Sequence, residues 1–341
     1  MAPSSWRPDR LAQRRANLAV RGRVLGAVRE FFCAAGYLEV ETPALQLSPG
    51  LEPHLKAFAT VLHNPRDGSA QPRYLHTSPE FAMKKLLAGG LPRIWQLAHV
   101  YRDGERSATH HPEFAMLEWY RAGAGYRDLM DECERLLRYL QAAAGTASLR
   151  WRGNSADARQ PWQRLTVAEA FRRHADIDLL ATAAEPALLA AEVARIGIAP
   201  HPGDDWEAVF FRIFLDRVEP LLGIGAPTIL YDYPIALAAL ARSKPDDPRL
   251  AERFELYVCG LELANAFGEL TDPAEQRRRF LADQARKQAL YGETYPIDED
   301  FLAALEHGLP ECAGIALGFD RLVMLATGAQ HIEEVLWAPV T

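Results

Sequence analysis

Cysteine is scarce in this chain: four in 341 residues, at Cys33, Cys133, Cys259 and Cys312, with no C-x-x-C pair and no histidine at metal-ligand spacing. A structural zinc site is therefore not expected, and reduced thiols of a cytosolic protein are the default. No apolar run approaches the ~18 residues of a membrane span. Residues 1–15 are polar and arginine-rich, without the hydrophobic segment of a secretory signal. A cytoplasmic location without membrane attachment follows as the expectation. Positive charge is also short, with 38 Lys and Arg against 45 Asp and Glu and a formal net charge of −7. That balance argues against sequence-independent nucleic-acid binding, which needs a basic surface. A P-loop and a G-x-G-x-x-G on a strand–helix turn are missing too, so the common nucleotide folds are poorly supported.

What is present reads as a mixture of helices and strands without regular βαβ alternation, which favours an α+β fold with an antiparallel sheet. Residues 14–35 carry Leu18, Val24, Leu25, Val28, Phe31 and Phe32 at helical spacing, with Gly36 as the stop. A short alternating strand follows and ends at Pro43. Ser78 and Pro79 predict a helix start, with the hydroxyl at the N-cap and proline at the first helical position. Residues 94–102 and 114–121 read as two strands joined by a charged loop. Residues 127–220 read as largely helical. Strands are expected at 228–231 and near 254–263, a helix at about 272–291, and a glycine-spaced strand with its helix at the end.

That last strand, Gly314-Ile315-Ala316-Leu317-Gly318, leads into Phe319-Asp320-Arg321 and the apolar residues Leu322 to Leu325. Small residues at alternate positions leave one strand face bare, so a flat ligand can lie against the backbone. Arg321, where strand gives way to helix, offers a planar permanent cation to an anion. Alone this is equally a core strand with a surface arginine. Two distant segments add what such a site lacks. In the first, Phe114, Glu118 and Tyr120 fall on one face of a strand, because alternate side chains share a side. Arg102 ends the preceding strand, and His110 with the arginine-rich loop caps the surface. In the second, Glu262 and Glu269 stand among small and apolar residues. Carboxylates in such company bind Mg²⁺ or a cationic ligand, or mark a loop edge. Asn265 and Glu269 would share a face if that stretch is helical. Glu80 is another acid in an apolar setting, and its plain role is favourable interaction with a helix N-terminus, worth ~0.3–1 kcal/mol. Arginines for phosphates, a ring for a base and several acids for a cation together point to an ATP-dependent enzyme acting on a positively charged amino acid.

The segments resemble the three signature motifs of class II aminoacyl-tRNA synthetases: residues 14–43 motif 1, residues 101–120 motif 2, residues 314–322 motif 3. Thr77 to Glu80, His110 to Phe114, and Leu263 to Asn265 with Glu269 are similar to the lysyl branch. A lysyl-tRNA synthetase carries an N-terminal anticodon-binding OB-fold on the order of a hundred residues long. Only some 15 residues precede motif 1 here. A bare lysyl-type core resembles the elongation factor P–lysine ligase family, whose members activate lysine, preferably (R)-β-lysine, and attach it to a lysine of elongation factor P. The residues from Leu117 to Tyr120, and Ala316 where lysyl-tRNA synthetases usually have glycine, look like that family.

The resemblance implies a class II catalytic core, an antiparallel sheet flanked by helices, over residues 14–341. A leader would occupy residues 1–13 and a largely helical insert about 127–220. ATP and Mg²⁺ would be the cofactors, elongation factor P the acceptor in place of tRNA, and a lysine 2,3-aminomutase the supplier of the β isomer. Motif 1 implies a homodimer. Arg102 would hold the α-phosphate and the substrate carboxylate, Phe114 would stack on adenine, and Arg321 would hold the distal phosphates. Glu262 would meet ATP through Mg²⁺, and Gly318 would line the nucleotide. Asp103, Gly104, Glu105, His110, His111 and Leu263 would complete the ATP site. Ser78, Pro79, Glu80, Glu118, Tyr120, Asn265 and Glu269 would surround the amino acid, with Tyr120 and Glu269 at its side-chain ammonium. Gly104, Thr109, His111 and Ala266 depart from the family pattern, and put details of nucleotide binding in question more than the reaction type. The rival readings are a truncated lysyl-tRNA synthetase charging tRNA and a non-catalytic synthetase-like regulatory subunit. Retention of Arg102 and Arg321 counts against the latter.

Overall fold

The computed structural model describes residues 5–182, 185–199, 201 and 203–340. In chain order its elements begin with α1 (Pro8–Ala34), β1 (Leu38–Glu39), β2 (Leu45–Gln46), β3 (Ala59–His63), β4 (Ala70–Leu75), α2 (Glu80–Ala88), β5 (Arg93–Tyr101) and β6 (Glu113–Ala122). Next come α3 (Tyr126–Ala144), β7 (Leu149–Trp151), β8 (Asn154–Ala156), β9 (Gln163–Thr166), α4 (Val167–Ala175), α5 (Leu179–Thr182), α6 (Pro186–Arg195) and α7 (Trp206–Ile213). The chain closes with β10 (Thr228–Pro234), β11 (Leu250–Val258), β12 (Leu261–Gly268), α8 (Pro273–Tyr291), α9 (Glu299–Gly308), β13 (Cys312–Gly318) and α10 (Phe319–Thr327). Two compact units emerge, one of Met1–Gly125, Leu270–Met324 and Ala329–Thr341, the other of Tyr126–Glu269 and Leu325–Gly328.

In the first unit the strands run in the order β1-β5-β6-β13, and a separate small sheet is ordered β2-β4-β3. Helix α1 starts at Pro8, six residues before the expected Arg14 and inside the stretch read as a leader, because Pro8 and Asp9 suit a first helical turn. Residues 1–4 of that stretch lie outside the described residues. The buried stripe of α1 includes Leu18, Val24, Val28 and Phe32. The Phe32 ring stacks on Trp95 at 5.1 Å and leans on Trp119 at 5.3 Å, so the helix covers one face of β5 and β6. Two arginines share the stripe: Arg21 pairs with buried Asp320, and Arg14 donates to the Leu336 carbonyl at 2.8 Å. Asp320 also accepts the Ala115 amide at 2.7 Å, tying the start of α10 to β6.

In the second unit the strands run β12-β11-β10-β9, and β7 and β8 form a separate hairpin. Its core centres on stacked rings, with Phe171 4.8 Å from Phe210 and Phe210 5.7 Å from Phe214. One expectation is corrected here. Residues 254–263 are not one strand but a hairpin of β11 and β12, turned at Cys259 and Gly260, which have φ of +58° and +74°. Two successive positive-φ residues make the tight turn whose twist suits paired strands. The largely helical insert contains a sheet strand, since β9 pairs in parallel with β10. Among the described residues the strand pairs within each unit are antiparallel except for β1 with β5 and β9 with β10, so the expected α+β fold is present with a mixed sheet.

Candidate active site

The first unit's site face follows from strand register. Ile94, Ala98 and Val100 of β5 lie opposite Tyr120, Met116 and Phe114 of β6. On the other side of β6, Gly314, Ala316 and Gly318 lie opposite Tyr120, Glu118 and Met116. Directly opposed residues share a face. Phe114, Glu118 and Tyr120 therefore stand beside three small residues, as the alternation predicts. The opposite face carries Trp95 and Trp119 beneath α1.

Glu118 is fully buried on this face and accepts two hydrogen bonds, from the Ser78 hydroxyl at 2.6 Å and the Tyr120 hydroxyl at 2.8 Å. Burial, helped by the charge of Glu80, pushes its carboxyl up to about 8 against the two hydrogen bonds and Lys84, which pull it down. Ser78 also accepts the Glu80 amide at 3.0 Å. Helix α2 starts one residue later than expected, with Pro79 before its first turn and Ser78 freed to hold Glu118. Glu80 is not left to the helix N-terminus: the completely buried Lys84 reaches it at 2.5 Å. Sequence reasoning missed Lys84, although a glutamate four residues before a lysine on a helix is a readable signal.

The arginine-bearing half lies at the far end of the same strands. The Arg102 guanidinium sits 5.1 Å over the Phe114 ring and 3.6 Å from Glu105, while its buried Nε has no hydrogen-bond partner among the described residues. A guanidinium already stacked and flanked loses little freedom when an anion arrives. Arg321 donates to His110 Nε2 at 2.8 Å, which leaves the other ring nitrogen to donate to Ser107 Oγ at 2.7 Å. Burial and the Arg321 charge lower the His110 pKa. At Gly318 a Cβ would meet the Arg321 stem at 3.4 Å, an ordinary contact, so the space there does not by itself demand glycine. Gly104 takes φ +85° in the loop. Asp103 is a tether: its carboxylate pairs with Lys56 at 2.8 Å and its amide donates to the Lys56 carbonyl at 2.7 Å.

His111 is corrected. Its ring is buried, with one nitrogen on the Glu113 carbonyl and the other accepting the Val340 amide at 3.1 Å. Nε2 thereby pins the C-terminal segment and Nδ1 is held by the neighbouring backbone, so the ring has no nitrogen left for a nucleotide.

In the second unit Glu262, Leu263 and Asn265 lie on a strand, not the conditional helix. The register passes from Leu256 opposite Ala264 to Tyr257 opposite Glu262, so β12 has one extra residue, a bulge at Leu263. A bulge reverses the alternation. Glu262 consequently joins Asn265 and Phe267 on the half-buried face, while Leu261, Leu263, Ala264 and Ala266 are buried on the other. Leu263 has its side chain in the core. Asn265 Oδ1 is buried without a hydrogen-bond partner among the described residues. Glu269, buried beyond the strand end, pairs across a bridge with Ala241.

Among the described residues no cluster of three His, Cys, Asp or Glu side chains could hold a metal ion by itself. Over residues 7–341 the chain matches the family model for class II tRNA synthetases (D, K and N). It is 40% identical over 339 residues to the elongation factor P–(R)-β-lysine ligase of Vibrio cholerae serotype O1, covering 99% of each chain. A like-named enzyme of Pectobacterium carotovorum is 39% identical over 333 residues, covering 98% of this chain and 97% of that one. The chain belongs to the elongation factor P–(R)-β-lysine ligase family of class II synthetases. The lysine–tRNA ligase of Pelotomaculum thermopropionicum is 39% identical over 322 residues, 94% of this chain but 62% of that enzyme. Within this family of ligases, the α+β class II core accounts for the face of β5, β6 and β13 that presents the predicted residues. Ser78, Glu80, Arg102, Phe114, Glu118, Tyr120 and Arg321 are brought together in the first unit; Glu262 and Asn265 share one face of β12 in the second, with Glu269 just past its end. No helix among the described residues is long and apolar enough to cross a membrane.

Proposed function

We propose that this ligase activates a lysine-type amino acid, with (R)-β-lysine preferred, and transfers it to the ε-amine of a lysine on elongation factor P. The observation that carries the reading is Glu118, a fully buried carboxylate held by two hydroxyls beside Glu80. Burying that much acid is costly unless a cation arrives to pair with it. A diamino acid supplies such a cation. The relatives that match this chain end to end support elongation factor P as the acceptor.

The orphaned Arg102 Nε and the paired Arg321 fit a polyphosphate, and the small face of β13 fits a flat base. On this reading ATP and Mg²⁺ are required. Magnesium, which keeps phosphate and water oxygens among its ligands, would be met by Glu262 and would neutralise phosphate charge. Arg102 orients the amino-acid carboxylate for attack on the α-phosphorus and stabilises the charge that develops there. Pyrophosphate leaves, and the acceptor amine then attacks the activated carbonyl and AMP departs. A lysine of pKa about 10.4 is neutral for only about 0.04% of the time at pH 7, a cost of roughly 4.6 kcal/mol. The reactivity of an amine towards an activated acyl group offsets it, so no dedicated strong base is required. A homodimer through α1 and β1, a cytoplasmic location and an aminomutase that supplies the β isomer complete the proposal.

The test is ATP–pyrophosphate exchange with lysine, (R)-β-lysine and norleucine, which has the length of lysine without its side-chain ammonium. Exchange with both lysines and none with norleucine is expected. Exchange with norleucine at a comparable rate would refute recognition of the cation. The 39% identity to a lysine–tRNA ligase keeps tRNA as a second acceptor to be offered.

A further inference from the structure

A recess in the first unit extends past Ser78 and Glu80 to Gln46, Ser48, Gly50 and Glu52, residues to which no role has yet been given. Its enclosed part has room for about one water-sized group. Two of its polar atoms have no hydrogen-bond partner among the described residues: Ser48 Oγ, on a residue only 3% exposed, and Glu52 Oε2. Thr77 beside them is satisfied, donating to the Pro49 carbonyl at 2.7 Å. A buried hydroxyl and a buried carboxylate oxygen left unpaired in the lining of one recess call for an occupant.

The backbone is shaped for that carboxylate. Gly50 adopts φ +123°, and a Cβ there would lie 2.7 Å from Glu52 Oε2 and 2.9 Å from Thr77 Oγ1. The following segment is clamped from α8, where buried Lys287 donates to the carbonyls of Pro53 at 3.0 Å and Leu55 at 2.6 Å. The charges facing Glu52 are those of Glu80, Arg102 and Lys287; burial and Glu80 raise its pKa against the two cations.

We propose that Ser48 and Glu52 receive the substrate ammonium nearest the carboxylate, and so read where that amino group sits on the carbon chain. An –NH₃⁺ group is about the size of a water molecule and carries three donors, enough for both orphaned acceptors. The Asp103 amide donates to the Lys56 carbonyl at 2.7 Å, which ties the Glu52 segment to the residue after Arg102 and sets the recess on the side of the proposed carboxylate contact. The inference rests on the reading under Proposed function and deepens it: acceptors for a second ammonium imply a diamino acid as substrate.

The test compares lysine, (R)-β-lysine and 6-aminohexanoic acid, which keeps the terminal ammonium and the carboxylate but lacks the second amino group. Dissociation constants are measured by calorimetry on wild type, Glu52→Gln and Ser48→Ala. Loss of a charged hydrogen bond predicts about 10- to 100-fold weaker binding of both lysines to Glu52→Gln. The same variant should bind 6-aminohexanoic acid within about twofold of wild type. Equal weakening of all three ligands by a folded variant, or no change for either lysine, would overturn the assignment. Should Glu52→Gln fail to fold, Ser48→Ala decides by the same comparison. Wild type binding none of the three would instead refute the parent reading, and this one with it.

Discussion

Replacing Glu118 by glutamine removes one titrating group and leaves the fold's other charges in place. The buried Glu118 carboxyl titrates at about 8, against 4.5 for the free side chain. Its pKa is raised on folding, so between these values the folded protein holds a proton that the unfolded chain does not. Stability therefore falls as pH rises through that window, by about 1.4 kcal/mol per unit, and is flat below and above it. Summed over the window, the penalty reaches about 5 kcal/mol, from 1.36 × (8 − 4.5). The glutamine variant carries no such term. Unfolding free energies of the ligand-free proteins at pH 5 and pH 8 should therefore differ in their response. Relative to wild type the variant gains about 4 kcal/mol on going from the lower pH to the higher. A constant offset between the two proteins across that range would show that Glu118 is already ionised in the free enzyme, and the cation-seeking pocket would lose its basis.

Three other outcomes follow from the packing. Lys84→Met strands the Glu80 carboxylate and should cost about 3–5 kcal/mol, with much of the loss recovered in the Lys84→Met/Glu80→Gln double variant; denaturant titration of the cycle checks it. Gly223→Ala should cost roughly 2–5 kcal/mol. Its φ is +71° and a Cβ would lie 2.4 Å from the Tyr257 carbonyl oxygen, a backbone atom with no room to yield, so the melting temperature should drop by several degrees. Arg102→Lys keeps the charge but loses the planar fork that lies over Phe114, and should lower kcat/KM for exchange by about 100-fold, near 2.7 kcal/mol, with little change in stability.

Much of the first unit's site was legible because its signals are local. Glycine, alanine and glycine at alternate positions from Gly314 define a bare strand face, and Phe114, Glu118 and Tyr120 share a face by the same period of two. The start of α2 was placed one residue early, because Ser78 gives its hydroxyl to Glu118 forty residues away and not only to the helix. Contacts of this kind leave no periodic trace. His111 lies in the motif 2 loop but is captured by Val340, near the end of the chain. The hairpin turn at Cys259 was hidden because a cysteine with positive φ carries none of the usual turn chemistry. The bulge at Leu263 was equally hidden: Glu262 and Asn265 are three apart, a spacing that puts them on opposite faces of a regular strand. Ser48 and Glu52 lie in an irregular segment whose position is set by Lys287 on α8, so their place beside Glu80 is a tertiary fact.

One assay bears on the central claim more directly than any other. The protein is incubated with ATP, Mg²⁺ and radiolabelled lysine or (R)-β-lysine, with elongation factor P and bulk tRNA offered in parallel. Label should appear on elongation factor P, more strongly with the β isomer, with one AMP formed per label transferred. Label on tRNA alone would contradict the account and favour a tRNA-charging enzyme, and neither label nor AMP would favour a non-catalytic role.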